Sequence, residues 1–397
     1  MSQKWNLAIL FFTLVIMMMG FGIIIPILPD MVTGLGGSGK AMGFLMAIFS
    51  AMQFLFSPMW GELSDKYGRK PILLIGVLGN GVTMLLLGLS TQLWMMFTAR
   101  ALAGVLSSAT LPTAYAFISD STDEDSRGGG MGVVGAAMGF GMVIGPAAGG
   151  ILGSISLQVP FYFAAGLSVL AMLVIWFFLP ESLPATERTP EVRIRGPQIK
   201  LMVTSLFGPM GFLFIAAFMI SFAMTNFEGI YGYFTKVRYG YGPRAIGNIL
   251  TAVGITSSIA QGALTGILTR RIGEVKVIKG SLFASIVGFL VLLMPNDKPS
   301  VIAAASFFVL SNAMLRPSVA ALISKRATSG QGIAMGLNNS YMSLGRIVGP
   351  IWAGFVIDVN MSLPFLTGSF IMLIGYLASL LYLREKSTAQ ITTVSAD

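Results

Sequence analysis

Glu228 is the one acid, among the sixteen Asp and Glu of this chain, that falls within a long apolar stretch. A carboxylate stripped of hydration favours its neutral form, so a group in such a place is suited to taking up and releasing a proton. Ser221, Thr225, Glu228, Gly232 and Thr235 recur every three to four residues, which puts the acid on the one polar or small face of an otherwise apolar helix. That face should look into a cavity, with Phe227 and Tyr231 adding aromatic surface beside the acid. Three arginines also lie in apolar runs and must find partners there. Arg100 precedes Gly104 by one turn, Asn312 and Arg316 sit one turn apart before Pro317, and Arg346 follows Asn338, Asn339 and Tyr341 near the middle of its segment. Arg346 reads equally well as a ligand for an anionic group, a counter-charge for Glu228 or a structural lock. A permanent ion pair of Glu228 with Arg100, Arg316 or Arg346 would remove the acid from proton chemistry.

Other chemistries are excluded. The chain has no Cys and no His, so disulfides, thiol and imidazole chemistry and most zinc sites are out, and no metal is expected. Without a Ser/Lys, Cys/His or clustered-carboxylate constellation in the apolar runs, an enzyme is not expected. Nor is there a phosphate-binding loop, so no nucleotide cofactor is expected to supply energy.

A second cluster, GELSDKYGRKPI at residues 61–72, packs Gly61, Asp65, Gly68, Arg69 and Lys70 into a tight turn between two apolar segments. Glycine permits the turn, Pro71 suits the first turn of the next helix, and the basic residues are of the kind that hold a short loop at a cytoplasmic face. Asp120 and Arg127 bracket the following loop on that side and are placed to pair with Arg69 or Asp65 as gate contacts. A third cluster is a bare ridge: Gly141, Gly145, Gly149 and Gly153 recur every four residues, so a neighbouring helix can approach at backbone contact. Pro146 kinks the ridge and, with Gly150 beside it, makes a hinge seam.

The elements that position these groups follow from composition. The chain is 55% hydrophobic and 10% charged, against roughly 25% charged in ordinary soluble domains. A span takes about 20 apolar residues, and twelve such segments occur, near 7–28, 41–60, 71–90, 93–118, 128–154, 160–180, 208–235, 244–268, 275–294, 299–323, 331–358 and 362–383. An all-α integral membrane protein is expected, with most Lys and Arg on the cytoplasmic side and both termini there. Lys236, Arg238 and Arg244 are external exceptions, and Asp30 is expected as a solvated residue of the outer surface. The net charge of +9 follows this sidedness, with no nucleic-acid-binding pattern beside it. Residues 181–205, rich in Pro and mixed charge, form a cytoplasmic linker with room for a short surface helix, between halves 1–180 and 206–397. The second half repeats the first at an offset near 205: Gly266, Leu268 and Gly273 parallel Gly61, Leu63 and Gly68, Pro317 parallels Pro112, and Gly345, Gly349 and Pro350 parallel Gly141, Gly145 and Pro146. Two pseudo-symmetric six-helix halves with a site between them near the midplane are therefore expected.

The 61–72 turn, Arg100-x-x-x-Gly104 and the G-M-V-I-G-P-A-A-G-G run at 141–150 resemble the motifs of the major facilitator superfamily. With the acid of segment seven, the N-x-x-x-R-P-like end of segment ten and L-N-N-S-Y in segment eleven, the chain resembles the twelve-helix drug:proton antiporters of Gram-positive bacteria along essentially its whole length. The resemblance implies proton-driven, cofactor-free export of small amphiphilic or drug-like molecules across the bacterial cytoplasmic membrane by alternating access, by a monomer in the lipid bilayer. It implies a proton-transfer role for Arg100, against which stands a structural arginine bonded to neighbouring carbonyls. Asp65 would close the cytoplasmic side by capping the N-terminus of segment eleven. Two positions depart from those exporters: Asn312-Ala313 stands where they carry a second acid, and Arg346 where they have no arginine. Export of a dedicated metabolite such as a metallophore or sugar, with Arg346 binding its carboxylate, and a lipid flippase on the same fold remain alternatives.

Overall fold

The computed structural model describes residues 3–189, 199–327 and 330–383. Twelve long helices fill them: α1 (Gln3–Ile24), α2 (Gly39–Tyr67), α3 (Arg69–Gly88), α4 (Leu93–Ser121), α5 (Glu124–Gly153), α6 (Val159–Phe178), α7 (Gly211–Tyr239), α8 (Pro243–Ile272), α9 (Glu274–Val291), α10 (Lys298–Arg326), α11 (Gln331–Ile357) and α12 (Leu363–Tyr382). No strand occurs among the described residues. Ten of the helices are long and apolar enough to cross a membrane. The other two, α9 and α11, carry more polar residues: Glu274, Lys276 and Lys279 at the start of α9, and Asn338, Asn339 and Arg346 in α11.

Several helices outrun the apolar segments. α2 continues to Tyr67 and α4 to Ser121, so Glu62, Asp65 and Asp120 are helical instead of loop residues. Hydropathy marks only the stretch in hydrocarbon, whereas backbone hydrogen bonding carries a helix on into the interface. Proline opens α6, α8, α10 and α12 at their first turns, where its missing N–H costs nothing. Gly68 and Gly273 separate α2 from α3 and α8 from α9, at φ of 102° and 82°. The same left-handed break thus recurs in both halves.

Packing repeats in the same way. α1 lies on α5 as α7 lies on α11, and α3 lies on α6 as α9 lies on α12. α2 with α4 matches α8 with α10. The two most extensive contacts between the halves are α2 with α11 and α5 with α8, and these two also interchange under the pseudo-twofold, while α7 meets α2 more lightly. Large apolar side chains such as Trp176, Phe177, Phe283 and Leu377 face outwards, as a lipid environment requires.

The junction between halves is tight at one end only. A Cβ on Gly43 would stand 2.2 Å from the Pro350 carbonyl oxygen, and one on Gly247 would stand 2.6 Å from that of Pro146. Towards the other end, Gly61, Gly128, Gly132, Gly262, Gly266, Gly332 and Gly336 have no such neighbour within 4 Å. The bundle is sealed where α2 and α8 begin and open where the 61–72 turn lies. Between the halves the linker contributes the short helix Ile199–Ser205, with residues 190–198 outside the described ones.

Candidate substrate cavity

A cavity of about 990 Å³ occupies the space between the halves. Its wall is built from two kinds of surface. Met17, Met46, Met84, Met142, Phe21 and Phe49 make an apolar side, and Glu228, Arg316, Arg346, Asn339, Ser340 and Ser343 make a polar one.

Glu228 lies on α7 and lines the cavity. It makes no ion pair among the described residues, although Arg316 and Arg346 are close enough for their charges to act on it. Neither arginine is locked to it. Arg346 donates from Nη2 to Ser343 Oγ at 2.8 Å. Arg316 reaches into the cavity.

The polar face expected on α7 divides in two. Thr225 lines the cavity and donates to the carbonyls of Ser221, at 2.8 Å, and Gly345, at 3.1 Å. Ser221 is buried and donates to the Met342 carbonyl at 2.6 Å, so its hydroxyl ties α7 to α11 away from the cavity wall. Phe227 and Tyr231 do not flank a cavity. They lie one turn apart on the adjoining face of α7, with ring centroids 4.5 Å apart, packed on Phe308 of α10 and Phe365 of α12. Phe227 lies about 100° and Tyr231 about 60° round the helix from Glu228, in the same sense, which turns both rings to the α10–α12 side and away from the cavity.

The same geometry reorders α10 and α11. Asn312 is buried off the cavity. Asn338 donates weakly to Met342 Sδ at 3.7 Å, and Tyr341 stacks on Phe214 and donates to the Met202 carbonyl at 2.5 Å. Asn339, Ser343 and Arg346, spaced by four and three, form the cavity face instead. Glu62 is an acid that sequence reasoning missed: it lines the cavity on the extended part of α2, which hydropathy had assigned to a loop.

Arg100 is almost wholly buried, at 1% exposure. It donates from Nε to the Leu45 carbonyl at 3.1 Å and lies 4.5 Å over the Phe49 ring. Gly104 makes this possible, because a Cβ there would stand 2.5 Å from the Phe49 carbonyl. The backbone of α2 is thereby brought within reach of the guanidinium one turn away.

At the open end Arg69 is the centre of the charged cluster. Its guanidinium donates to Asp65, to Asp120 at 2.9 Å and to Ser64 at 2.7 Å. Glu181 accepts the N–H of Arg69 at 2.7 Å and of Lys70 at 3.2 Å, capping the positive start of α3. Lys70 itself donates to the Trp176 carbonyl at 2.8 Å. Asp65 does not cap α11: it is engaged by Arg69, and no side chain caps the start of α11. In this open arrangement the two ends are apart. The Arg127 side chain lies outside the described residues.

The glycine ridge of α5 packs on α1. A Cβ on Gly141, Gly145 or Gly149 would meet Val15, Met19 or Ile23 carbonyls at 2.8, 2.8 and 2.5 Å. Gly150 faces the other way, on Gly247 of α8, so Pro146 and Gly150 serve the seam between halves. Asp30 is no solvated surface residue. It sits in the short helix Leu28–Gly34 and pairs with Lys236 from α7, which also gives that external lysine its partner.

The chain matches the Major Facilitator Superfamily over residues 10–225 and again over 213–396. It is 31% identical to Multidrug resistance protein 2 of Bacillus subtilis (strain 168), over 98% of each chain. To Quinolone resistance protein NorA of Staphylococcus aureus (strain COL) it is 27% identical, over 90% of this chain and 91% of the relative. Among solved structures, a bacterial homologue of the human lysosomal transporter Spinster, inward-facing and occupied, superposes with a TM-score of 0.79 at 12% identity, over 96% of this chain and 97% of that one. A twelve-helix bundle in two matching halves, a cavity between them and two matches along the sequence lead to one conclusion: the chain is a multi-pass membrane protein of the major facilitator superfamily.

Proposed function

We propose that the chain is a proton-coupled antiporter that exports small amphiphilic, drug-like molecules across the bacterial cytoplasmic membrane by alternating access. The names of its relatives, multidrug and quinolone resistance proteins, support the substrate class. One observation carries the coupling: Glu228, a carboxylate inside the bundle, faces the cavity with no ion pair among the described residues. Such a group exchanges a proton for a ligand without first breaking a salt bridge. The proton gradient supplies the energy, with no cofactor, and the protein works as a monomer with both termini in the cytoplasm.

In this reading the open end faces the cytoplasm, and drug enters over the Met and Phe wall, which adapts to many shapes. Substrate binding displaces the proton from Glu228, and reprotonation from outside resets the cycle. Arg100 holds α4 to α2 at the cavity wall. The Asp65–Arg69–Asp120 cluster belongs to the open state, and on closure Asp65 is released to the start of α11. The ridge of Gly141, Gly145 and Gly149 keeps α5 with its own half while Pro146 and Gly150 slide on α8.

Proteoliposomes with an acidic lumen test the reading. They should take up a radiolabelled quinolone against its gradient and lose it when the pH gradient is collapsed. Uptake that never exceeds equilibration would contradict proton coupling.

A further inference from the structure

The protein treats the arginines of its bundle in two ways: Arg69 and Arg100 are buried, Arg346 is half-buried and Arg316 exposed to the cavity. Arg69 is neutralised by Asp65 and Asp120. Arg100 is bonded to the Leu45 carbonyl and stacked on Phe49. Arg316 and Arg346 are different: they line the cavity as Arg100 does, but no ion pair, backbone carbonyl or aromatic ring among the described residues takes up their guanidinium groups. Arg346 spends one donor on Ser343. Arg316 makes no hydrogen bond to another described residue, and its side chain is exposed to the cavity. A guanidinium has five N–H donors in a fork that matches a carboxylate, and the fold leaves most of two such forks open towards one space.

The charge inventory points the same way. Arg316 and Arg346 sit close enough to act on each other as well as on Glu228. With Glu228 ionised the group carries two positive charges against one negative, and with Glu228 protonated it carries two against none. Glu62, the other acid on the wall, belongs to the open end of α2 and has its own interactions. A simple cation entering this region meets net repulsion, whereas an anionic group meets unsatisfied donors. Asn339 and Ser340 line the same side, and Met46, Met84 and Phe21 offer an apolar surface for the rest of the molecule.

We infer that Arg316 and Arg346 form a carboxylate-recognition subsite, so that the transported amphiphiles include molecules carrying an anionic group. Glu228 is left free for the proton or for a basic nitrogen on the same molecule. The inference rests on the reading of this cavity as the substrate site, and it names the substrate class beyond apolar drugs.

Two probes with one apolar body separate the charges: 3-(2-naphthyl)propionate and 2-(2-naphthyl)ethylamine, titrated into the purified full chain in lipid nanodiscs. The propionate should bind more tightly by about tenfold or more, the scale of a hydrogen bond to a charged group. Arg346→Gln and Arg316→Gln should each weaken the propionate by a similar factor and leave the ethylamine unchanged or improved. Arg346→Lys, which keeps the charge and loses the fork, should fall between, and serves if a glutamine variant does not fold. Equal or tighter binding of the ethylamine to the unaltered protein overturns the subsite. Wild-type propionate affinity in the arginine variants overturns it too. Quinolone accumulation by the same preparation tells the two readings apart: intact accumulation without carboxylate preference sinks the subsite alone, and carboxylate preference without accumulation sinks the export reading alone.

Discussion

Asp358, just past the end of α11, accepts the backbone N–H of Gly39 at 2.9 Å and that of Lys40 at 3.1 Å, across the junction between the two halves. Gly39 opens α2, so the carboxylate caps the positive end of a helix in the opposite half. With the Asp30–Lys236 pair, which also joins the two halves, it ties the sealed end together. In the proposed cycle Asp65 would do the same for α11 at the other end after closure; here it is engaged by Arg69. The proposed alternating access would make one charge–helix contact as it breaks the other, and in this structure the Asp358 contact is made while Asp65 pairs with Arg69.

Asp358→Asn keeps the shape and removes the charge. An exposed charge at a helix N-terminus contributes about 0.3–1 kcal/mol, so the balance of states should shift roughly two- to fivefold towards opening at the sealed end. Because the chain has no cysteine, Ser50→Cys on the cavity wall reports it directly. Labelling of Ser50→Cys from the sealed side should rise with Asp358→Asn, and an unchanged rate would show that the Asp358 contact does not hold this end shut.

The same cysteine-free background tests orientation. Ser38 lies exposed at the sealed end and Thr186 exposed in the linker. An impermeant thiol reagent on intact cells should label Ser38→Cys and spare Thr186→Cys. The reverse pattern would invert the proposed topology.

Gly145 and Gly266 make a matched pair. A Cβ on Gly145 would press on Gly22 and the Met19 carbonyl at 2.8 Å, while Gly266 has open space. Gly145→Ala should lower the melting temperature of the purified protein, by about 1–3 kcal/mol of overpacking. Gly266→Ala should leave it unchanged or slightly raised. Equal melting temperatures for the two would show that α1 and α5 can part freely.

Arg69 links two acids, so its loss should couple to theirs. Arg69→Gln should reduce transport several-fold, and adding Asp120→Asn should cost less stability in that background than in the unaltered chain, with a coupling of about 0.5–3 kcal/mol. Simple additivity in thermal unfolding would show that the Arg69–Asp120 contact at 2.9 Å contributes nothing. Lys70→Gln loses one exposed bond to a carbonyl and should change little.

Much of the fold was legible because two signals were local: apolar length for the spans, and the recurrence of Gly68 at Gly273 and of Gly145 at Gly349 for the two halves. Glu228 stood out because an acid in an apolar run has few structural explanations. Facing was harder to read. Phe227, Tyr231, Asn338 and Tyr341 are near charged residues in sequence but turn into the core, since a helix face is fixed by which neighbour it meets. Glu62 was hidden by a helix that continues past its apolar stretch. The contacts of Asp358 and Asp30 join residues hundreds of positions apart, and no local pattern in the sequence marks them.

The proposed proton coupling rests on Glu228. In proteoliposomes with an acidic lumen, the unaltered protein should concentrate a radiolabelled quinolone, and Glu228→Gln should abolish that accumulation while still allowing the label to equilibrate downhill. Accumulation by Glu228→Gln at the unaltered level would contradict the central claim and place proton coupling on another group, with Glu62 the first to examine.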